Sequence, residues 1–134
     1  MFTKNKETRQ KTAVVSGASG GIGRALCSRL RQRGYRVIGL SRQQAPISGT
    51  AYVDHMLACD LADKKSIEDV AQALGQTCGR IDLFISCAGV ISPQPVETFE
   101  QTAVMEQVQI NLVGIMLLTN AILPIMAEGS HIIY

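Results

Sequence analysis

The chain has almost no charge to spare. Thirteen lysines and arginines against eleven acidic residues leave a formal net charge of +2 over 134 residues, too small to argue for nucleic acid as a partner. Part of that excess sits in the first eleven residues, where Lys4, Lys6, Arg9 and Lys11 face only Glu7. Residues 1–11 therefore read as a solvated basic tail ahead of one domain at 12–134. No apolar h-region follows the tail, so no secretory signal is expected. Cys27, Cys59, Cys78 and Cys87 make no C-x-x-C pair, and no histidine stands at ligand spacing from them. Free buried thiols in the cytoplasm are expected, and no metal site. Internal repeats and low-complexity linkers are missing too. The most apolar run, Val108–Ala127, is interrupted by Gln109, Asn111, Thr119, Asn120 and Pro124. Those residues favour a buried or interface helix over one that spans a membrane, and no membrane partner is expected.

What is present is globular: 46% of residues are hydrophobic and 18% charged, with a mean hydropathy of +0.15. Strand and helix signals alternate. "TAVVS" (12–16) is a short β-branched run. Ile22, Leu26 and Leu30 recur at helical spacing, and that helix ends near Gly34. "RVIGL" (36–40) reads as a second strand, and a loop with Pro46 and Gly49 leads to a third at "HMLACDL" (55–61). Ile67, Val70, Ala71 and Leu74 mark a helix for which Asp63 is placed as N-cap. "RIDLFISCAG" (80–89) is a fourth strand, and Pro93 and Pro95 mark a loop. A long helical pattern runs over 99–126, and "HIIY" (131–134) starts a fifth strand. Strands this uniformly apolar, separated by helices, predict an α/β fold with a parallel sheet covered on both faces. Ligands of such sheets sit at the carboxyl ends of the strands.

That is where "SGASGGIG", Ser16 to Gly23, falls. Four glycines in seven positions are entropically expensive unless something must approach the backbone. A pyrophosphate facing the amides at the start of the Ile22 helix is a candidate. No Gly-Lys-Ser/Thr closes the stretch, so a nucleoside-triphosphatase loop is excluded. Gly17, Gly21 and Gly23 follow the spacing Gly-x-x-x-Gly-x-Gly, which resembles the first motif of the short-chain dehydrogenase/reductase family, with Ser16 in place of its leading threonine. Three further stretches are similar to family motifs, in order. "CDL" contains Asp60 and Leu61 after the third strand. "SCAG" matches Asn-Asn-Ala-Gly at Ala88 and Gly89 but has Ser86 and Cys87 for the asparagines. "NLVG" carries Asn111 in the long helix. The resemblance runs from Thr12 to the end of the chain.

The resemblance implies a Rossmann-type doubly wound parallel sheet, incomplete at its C-terminal side. It implies a dinucleotide held by Ser16, Gly17, Ser19, Gly20, Gly21, Ile22 and Gly23, by Asp60 and Leu61, and by Cys87, Ala88 and Gly89. Asp60 would accept from the adenine amino group, and Asn111, whose neighbours Ile110, Leu112, Val113 and Ile115 suggest burial, would belong to a proton relay at a helix irregularity. Preference within the nicotinamide cofactors is read from the end of the second strand. An acid there holds a ribose 2′-hydroxyl. This chain has Ser41 and Arg42 and no acid from Arg36 to Val53, a pattern that suits a 2′-phosphate and hence NADP(H).

Family members act on carbonyl or alcohol substrates by hydride transfer, with a serine after the fifth strand and a Tyr-x-x-x-Lys on the next helix. Neither occurs in these 134 residues. The chain is therefore expected to be the amino-terminal, cofactor-binding half of such an enzyme. The alternative is a short form that binds nucleotide, or acts as a regulator, without catalysis. The helix at 99–126 is a candidate face for self-association.

Overall fold

The computed structural model describes residues 9–43 and 51–134; the tail up to residue 8 and the loop holding Pro46 and Gly49 lie outside them. Five strands form one parallel sheet in the order β3-β2-β1-β4-β5. They are β1 (Thr12–Ser16), β2 (Arg36–Ser41), β3 (His55–Ala58), β4 (Ile81–Ser86) and β5 (Met126–Ile133). Helix α1 (Gly21–Gln32) joins β1 to β2, and α2 (Lys64–Cys78) joins β3 to β4.

The strands are apolar on both faces because each face has its own core. Ala13, Val15, Val37 and Ile85 pack with Cys27 and Leu30 of α1. Val14, Ile38 and Phe84 pack on the other side with Ile67, Val70 and Leu74 of α2. Alternate residues of one strand thus serve different cores, the arrangement expected of a parallel sheet covered by helices. Asp63 caps α2 as expected, its carboxylate accepting from the Lys65 amide at 2.9 Å, and Gly79 ends that helix in the left-handed region at φ +64°.

The long helical pattern spans Gln101–Ile125. It is not uniform: α3 (Gln101–Val108) passes through a π-helical turn (Gln109–Gly114) into α4 (Ile115–Ile122) and a 3-10 turn (Leu123–Ile125). By length and composition it is apolar enough to cross a membrane. In the fold, Ile110, Ile115, Leu118 and Ile122 are buried in the core shared with α2. The π turn coincides with a close approach. A Cβ built on Gly114 would lie 2.3 Å from the Leu61 carbonyl oxygen, so only glycine lets the helix backbone lie against the loop after β3.

Three strand boundaries differ from expectation by more than one residue. β3 and β4 stop earlier, at Ala58 and Ser86, because the residues that follow turn into loops at the end of the sheet. β5 begins at Met126 rather than His131. Met126 pairs with Ile81 and His131 with Leu83, so β5 bulges between the two pairs, with Gly129 at φ +75°. Regular pairing resumes at His131, the residue at which the strand becomes visible in the sequence.

Two glycines should respond in opposite directions to alanine. Gly114→Ala forces a methyl group against a backbone oxygen and is expected to cost about 1–3 kcal/mol or more. Gly75, inside α2, has nothing within 4 Å of a built Cβ. Gly75→Ala is expected to add about 0.5–1 kcal/mol. Urea unfolding of the two variants beside the parent chain checks both signs.

Candidate functional site

The site is built where β1 ends. At Ser16 the chain leaves the sheet, and Gly17 turns it with φ +68°. A Cβ on Gly17 would lie 2.7 Å from the backbone of Cys87 and Ala88, so the turn after β1 lies directly on the strand end of β4. The Cys87 amide donates to the Ser16 carbonyl at 3.1 Å, and the Ala88 amide to Ser16 Oγ at 3.3 Å. The Ala18 amide donates to the Leu40 carbonyl at 3.1 Å, tying in β2. Gly23, in the first turn of α1, would place a Cβ 2.1 Å from the Gly17 carbonyl oxygen. Two of the motif glycines are therefore required by contacts within the protein. Gly21 is different: a Cβ there meets nothing within 4 Å.

Above these joined strand ends lies a cavity of about 220 Å³. Its floor and one side come from Ser16, Gly17, Ser19 and Gly20. The end of β2 adds Leu40, Ser41 and Arg42, and the loop after β3 adds Cys59, Asp60 and Leu61. The far wall consists of Cys87, Ala88, Gly89 and Val90 with Ile110 from the π turn. Most residues singled out from the sequence thus meet at one cavity. Gly21, Ile22, Gly23 and Asn111 stand outside its lining. Ile22 projects outward, 75% exposed. Leu40, Cys59, Val90 and Ile110 line the cavity without having been singled out. They lie in apolar runs or beside a motif, and their only signal was that position.

The cavity lining mixes polar and apolar groups. Among the polar ones Arg42 and Ser19 are exposed. Asp60 accepts from the Ala62 amide at 2.9 Å through Oδ1. Ser41 is buried and its hydroxyl donates to the Gln43 carbonyl, so that hydroxyl proton is engaged inside the protein. Helix α1 opens with neither a side-chain cap nor an acid in its first turn, which leaves the positive end of its dipole and its first amides without a side-chain partner. Burial, reinforced by the Asp60 carboxylate, pushes the Cys59 thiol up to about 11, and burial also raises that of Cys87. Both are neutral thiols at pH 7. Among the described residues no group of three or more His, Cys, Asp or Glu side chains is placed to hold a metal ion.

Asn111 lies in the π turn and is exposed, not buried as its apolar neighbours suggested. Its amide is nonetheless committed: Oδ1 accepts from the Val90 amide at 2.8 Å, and Nδ2 donates to the Val90 carbonyl at 2.7 Å. This pair of bonds fixes the cavity wall to the helix. A Cβ at Gly89 would lie 3.4 Å from Asn111 Oδ1, so the cavity wall runs directly beside this clamp.

A family model described as short chain dehydrogenase matches residues 11–133, and the chain belongs to that family. It is 32% identical over 127 residues to a D-threitol dehydrogenase of Mycolicibacterium smegmatis, a match covering 90% of this chain and 49% of the relative. Its fold superposes on Pseudomonas aeruginosa RhlG, solved as an NADP active-site complex, with a TM-score of 0.82 at 25% identity, covering 90% of this chain and 50% of that one. A 3-ketoacyl-(acyl-carrier-protein) reductase from Brucella melitensis, solved with NADH, gives 0.76 at 25% identity, covering 86% and 50%. The chain spans about half the length of the curated relatives it matches.

Asn111→Leu removes both bonds to Val90. At about 0.5–1.5 kcal/mol per bond, it is expected to lower stability by about 1–3 kcal/mol. Amide exchange at Val90 should accelerate at the same time, measured by hydrogen exchange alongside urea unfolding.

Proposed function

We propose that this chain is the cofactor-binding part of an NADP(H)-dependent oxidoreductase that moves hydride between the nicotinamide and a carbonyl or alcohol substrate. The observation that carries the reading is a cavity at the carboxyl ends of β1, β2 and β4 with the uncapped start of α1 and Arg42 beside it. The residues present fit a dinucleotide. The amides of Gly21, Ile22 and Gly23 would meet the pyrophosphate, while the Gly20 amide donates to the Gly17 carbonyl at 3.1 Å and shapes the turn; the open space over Gly21 suits the ligand's passage. Ser16, Gly17 and Ser19 complete that turn. Asp60, with one carboxylate oxygen held by Ala62, keeps the other for the adenine amino group. Leu61, Cys87, Ala88 and Gly89 would pack along the dinucleotide. When bound, the nicotinamide supplies the hydride chemistry.

With its hydroxyl proton given to Gln43, Ser41 acts chiefly by bringing Arg42 to the end of β2. Arg42 then pairs with the 2′-phosphate, and no acid up to Val53 repels it. Asn111 has its amide committed to Val90, so the part in a proton relay that the family resemblance implies would fall to the π turn it sits in and not to a free side chain. Exposed Met105, Val108, Leu112 and Met116 support self-association along the long helix. We place the protein in the cytoplasm, with no nucleic-acid or membrane partner.

The second reading is a nucleotide-binding or regulatory form without turnover. Tyr134 is committed within the fold: its hydroxyl donates to Thr119 Oγ1 at 3.0 Å.

Arg42→Ala is expected to weaken NADPH binding by about 1.5–3 kcal/mol and leave NADH nearly unchanged. Equal losses in calorimetric titrations would remove Arg42 from the 2′-phosphate. Gly21→Val should abolish binding of both cofactors with the fold retained by circular dichroism, because its side chain enters space the protein leaves open. The 134 residues alone, mixed with NADPH and a panel of ketones, aldehydes and quinones, should show no loss of reduced-cofactor absorbance. They lack the general acid, which typically contributes 10²–10⁴-fold. Turnover that disappears in Asn111→Leu or Tyr134→Phe would show that the catalytic groups lie in this chain after all.

A further inference from the structure

Asp60 lines the cavity, and most of its polar atoms are already engaged. Its amide donates to Ser66 Oγ at 2.9 Å, its carbonyl accepts from the Asp63 amide at 3.1 Å, and Oδ1 accepts from the Ala62 amide at 2.9 Å. Among the described residues Oδ2 alone has no bond. The three bonds do different things. Those from Ala62 and Asp63 are local and shape a turn, but they do not fix where the turn sits. The Ser66 bond spans six residues and joins that turn to α2. Ser66 can serve as an anchor because the next residue, Ile67, is buried in the core with Val70 and Leu74. Its hydroxyl is thus carried by the first turn of a packed helix and not by a loop. Just before Asp60, the Cys59 amide donates to the Ser41 carbonyl at 2.8 Å. The loop after β3 is therefore pinned to β2 at Cys59 and to α2 at Asp60. Ser66 itself lies outside the cavity lining and outside the motifs described above.

We infer that Ser66 is a positioning residue for recognition of the adenine base: it holds the Asp60 backbone so that the one uncommitted carboxylate oxygen is fixed in place for the adenine amino group. This rests on the dinucleotide reading, which gives that oxygen its partner. Ser66 touches no ligand. Its contribution is preorganisation, since an acceptor fixed beforehand loses little freedom on binding. The competing explanation is that Ser66 satisfies a loop amide and nothing more. The two differ over base selectivity. A bond that only stabilises the fold would alter the affinity for every base alike, whereas a positioning bond acts on the base that Asp60 reads.

The test is calorimetric titration of the chain with NADP⁺ and with its hypoxanthine analogue, in which a carbonyl oxygen replaces the adenine amino group. The parent should prefer NADP⁺ about tenfold, the worth of one charge-assisted hydrogen bond. Ser66→Ala should cut that preference to about twofold, and Ser66→Thr, which keeps the hydroxyl, should restore it. Ser66→Val, shaped like threonine without the hydroxyl, should match Ser66→Ala. Thr77→Ala removes a hydroxyl bond to the Ala73 carbonyl at the far end of α2 and should leave the preference unchanged. A preference that survives in both Ser66→Ala and Ser66→Val overturns the positioning role, and so does one that falls equally in Thr77→Ala. A parent indifferent to the base overturns it as well. Titration with adenosine and inosine 5′-monophosphates separates this role from the cofactor reading. A chain that binds no dinucleotide but prefers the adenosine nucleotide through Ser66 counts against the cofactor reading alone. NADP⁺ binding with a preference that loss of the Ser66 hydroxyl leaves intact counts against the positioning role alone. A chain that binds none of these nucleotides overturns both.

Discussion

Everything at this site depends on one steric fact: the backbone at Gly17 lies against the backbone at Cys87 and Ala88, with room for a hydrogen and nothing more. That contact brings the ends of β1 and β4 together above the sheet. It also sets the direction in which the chain enters α1, because Gly23 must clear the Gly17 carbonyl one turn later. A side chain at either position would push the helix start away from the strand ends and open the floor of the cavity. The cost would fall on two hydrogen-bonded strand ends and on the start of a helix, since Ser16 also receives the Cys87 and Ala88 amides.

This separates two reasons for glycine that a motif merges. Spacing identifies which positions cannot carry a side chain, but not what excludes it. At Gly17 and Gly23 the excluding atoms belong to the protein. At Gly21 no protein atom excludes anything, as at Gly75, so contacts within the protein do not account for the glycine there. The α/β fold was legible because apolar strands covered on both faces are unlike any other pattern, and the position of the site followed from where such sheets open. Asp60, Arg42 and Ala88 were legible through motif and charge. Val90 and Ile110 were not, because an aliphatic residue that lines a cavity has the same local sequence as one in a core. The bulge in β5 was hidden for a similar reason: the turn-like composition of Glu128, Gly129 and Ser130 masks a strand that has already begun. For Asn111, apolar neighbours suggested burial, yet the π turn rotates it to the surface and onto Val90.

The π turn is the second fixed point. Gly114 packs against Leu61 and Asn111 against Val90, so a single irregular turn holds a residue of each of two cavity-lining loops, one after β3 and one after β4. An unbroken α-helix would advance 100° per residue throughout and could not keep these contacts in the same register. Such turns are rare, and they appear mostly where a helix serves a site. Here the service is geometric: the spacing between the two loops, and hence the width of the cavity, is set by a helix that contributes only Ile110 to its lining.

These two fixed points also account for what the cavity gathers. The glycine turn places the uncapped start of α1 near the end of β2, where Arg42 stands. The π turn brings in Val90 and Ile110. The thiols add no charge to this lining, because burial keeps Cys59 and Cys87 neutral and they contribute apolar surface. The placement of these groups is set by backbone contacts at Gly17 and Gly114 and not by the cavity side chains themselves. Substituting the lining would therefore change its chemistry, whereas substituting either glycine would disturb the strand ends and loops that form it.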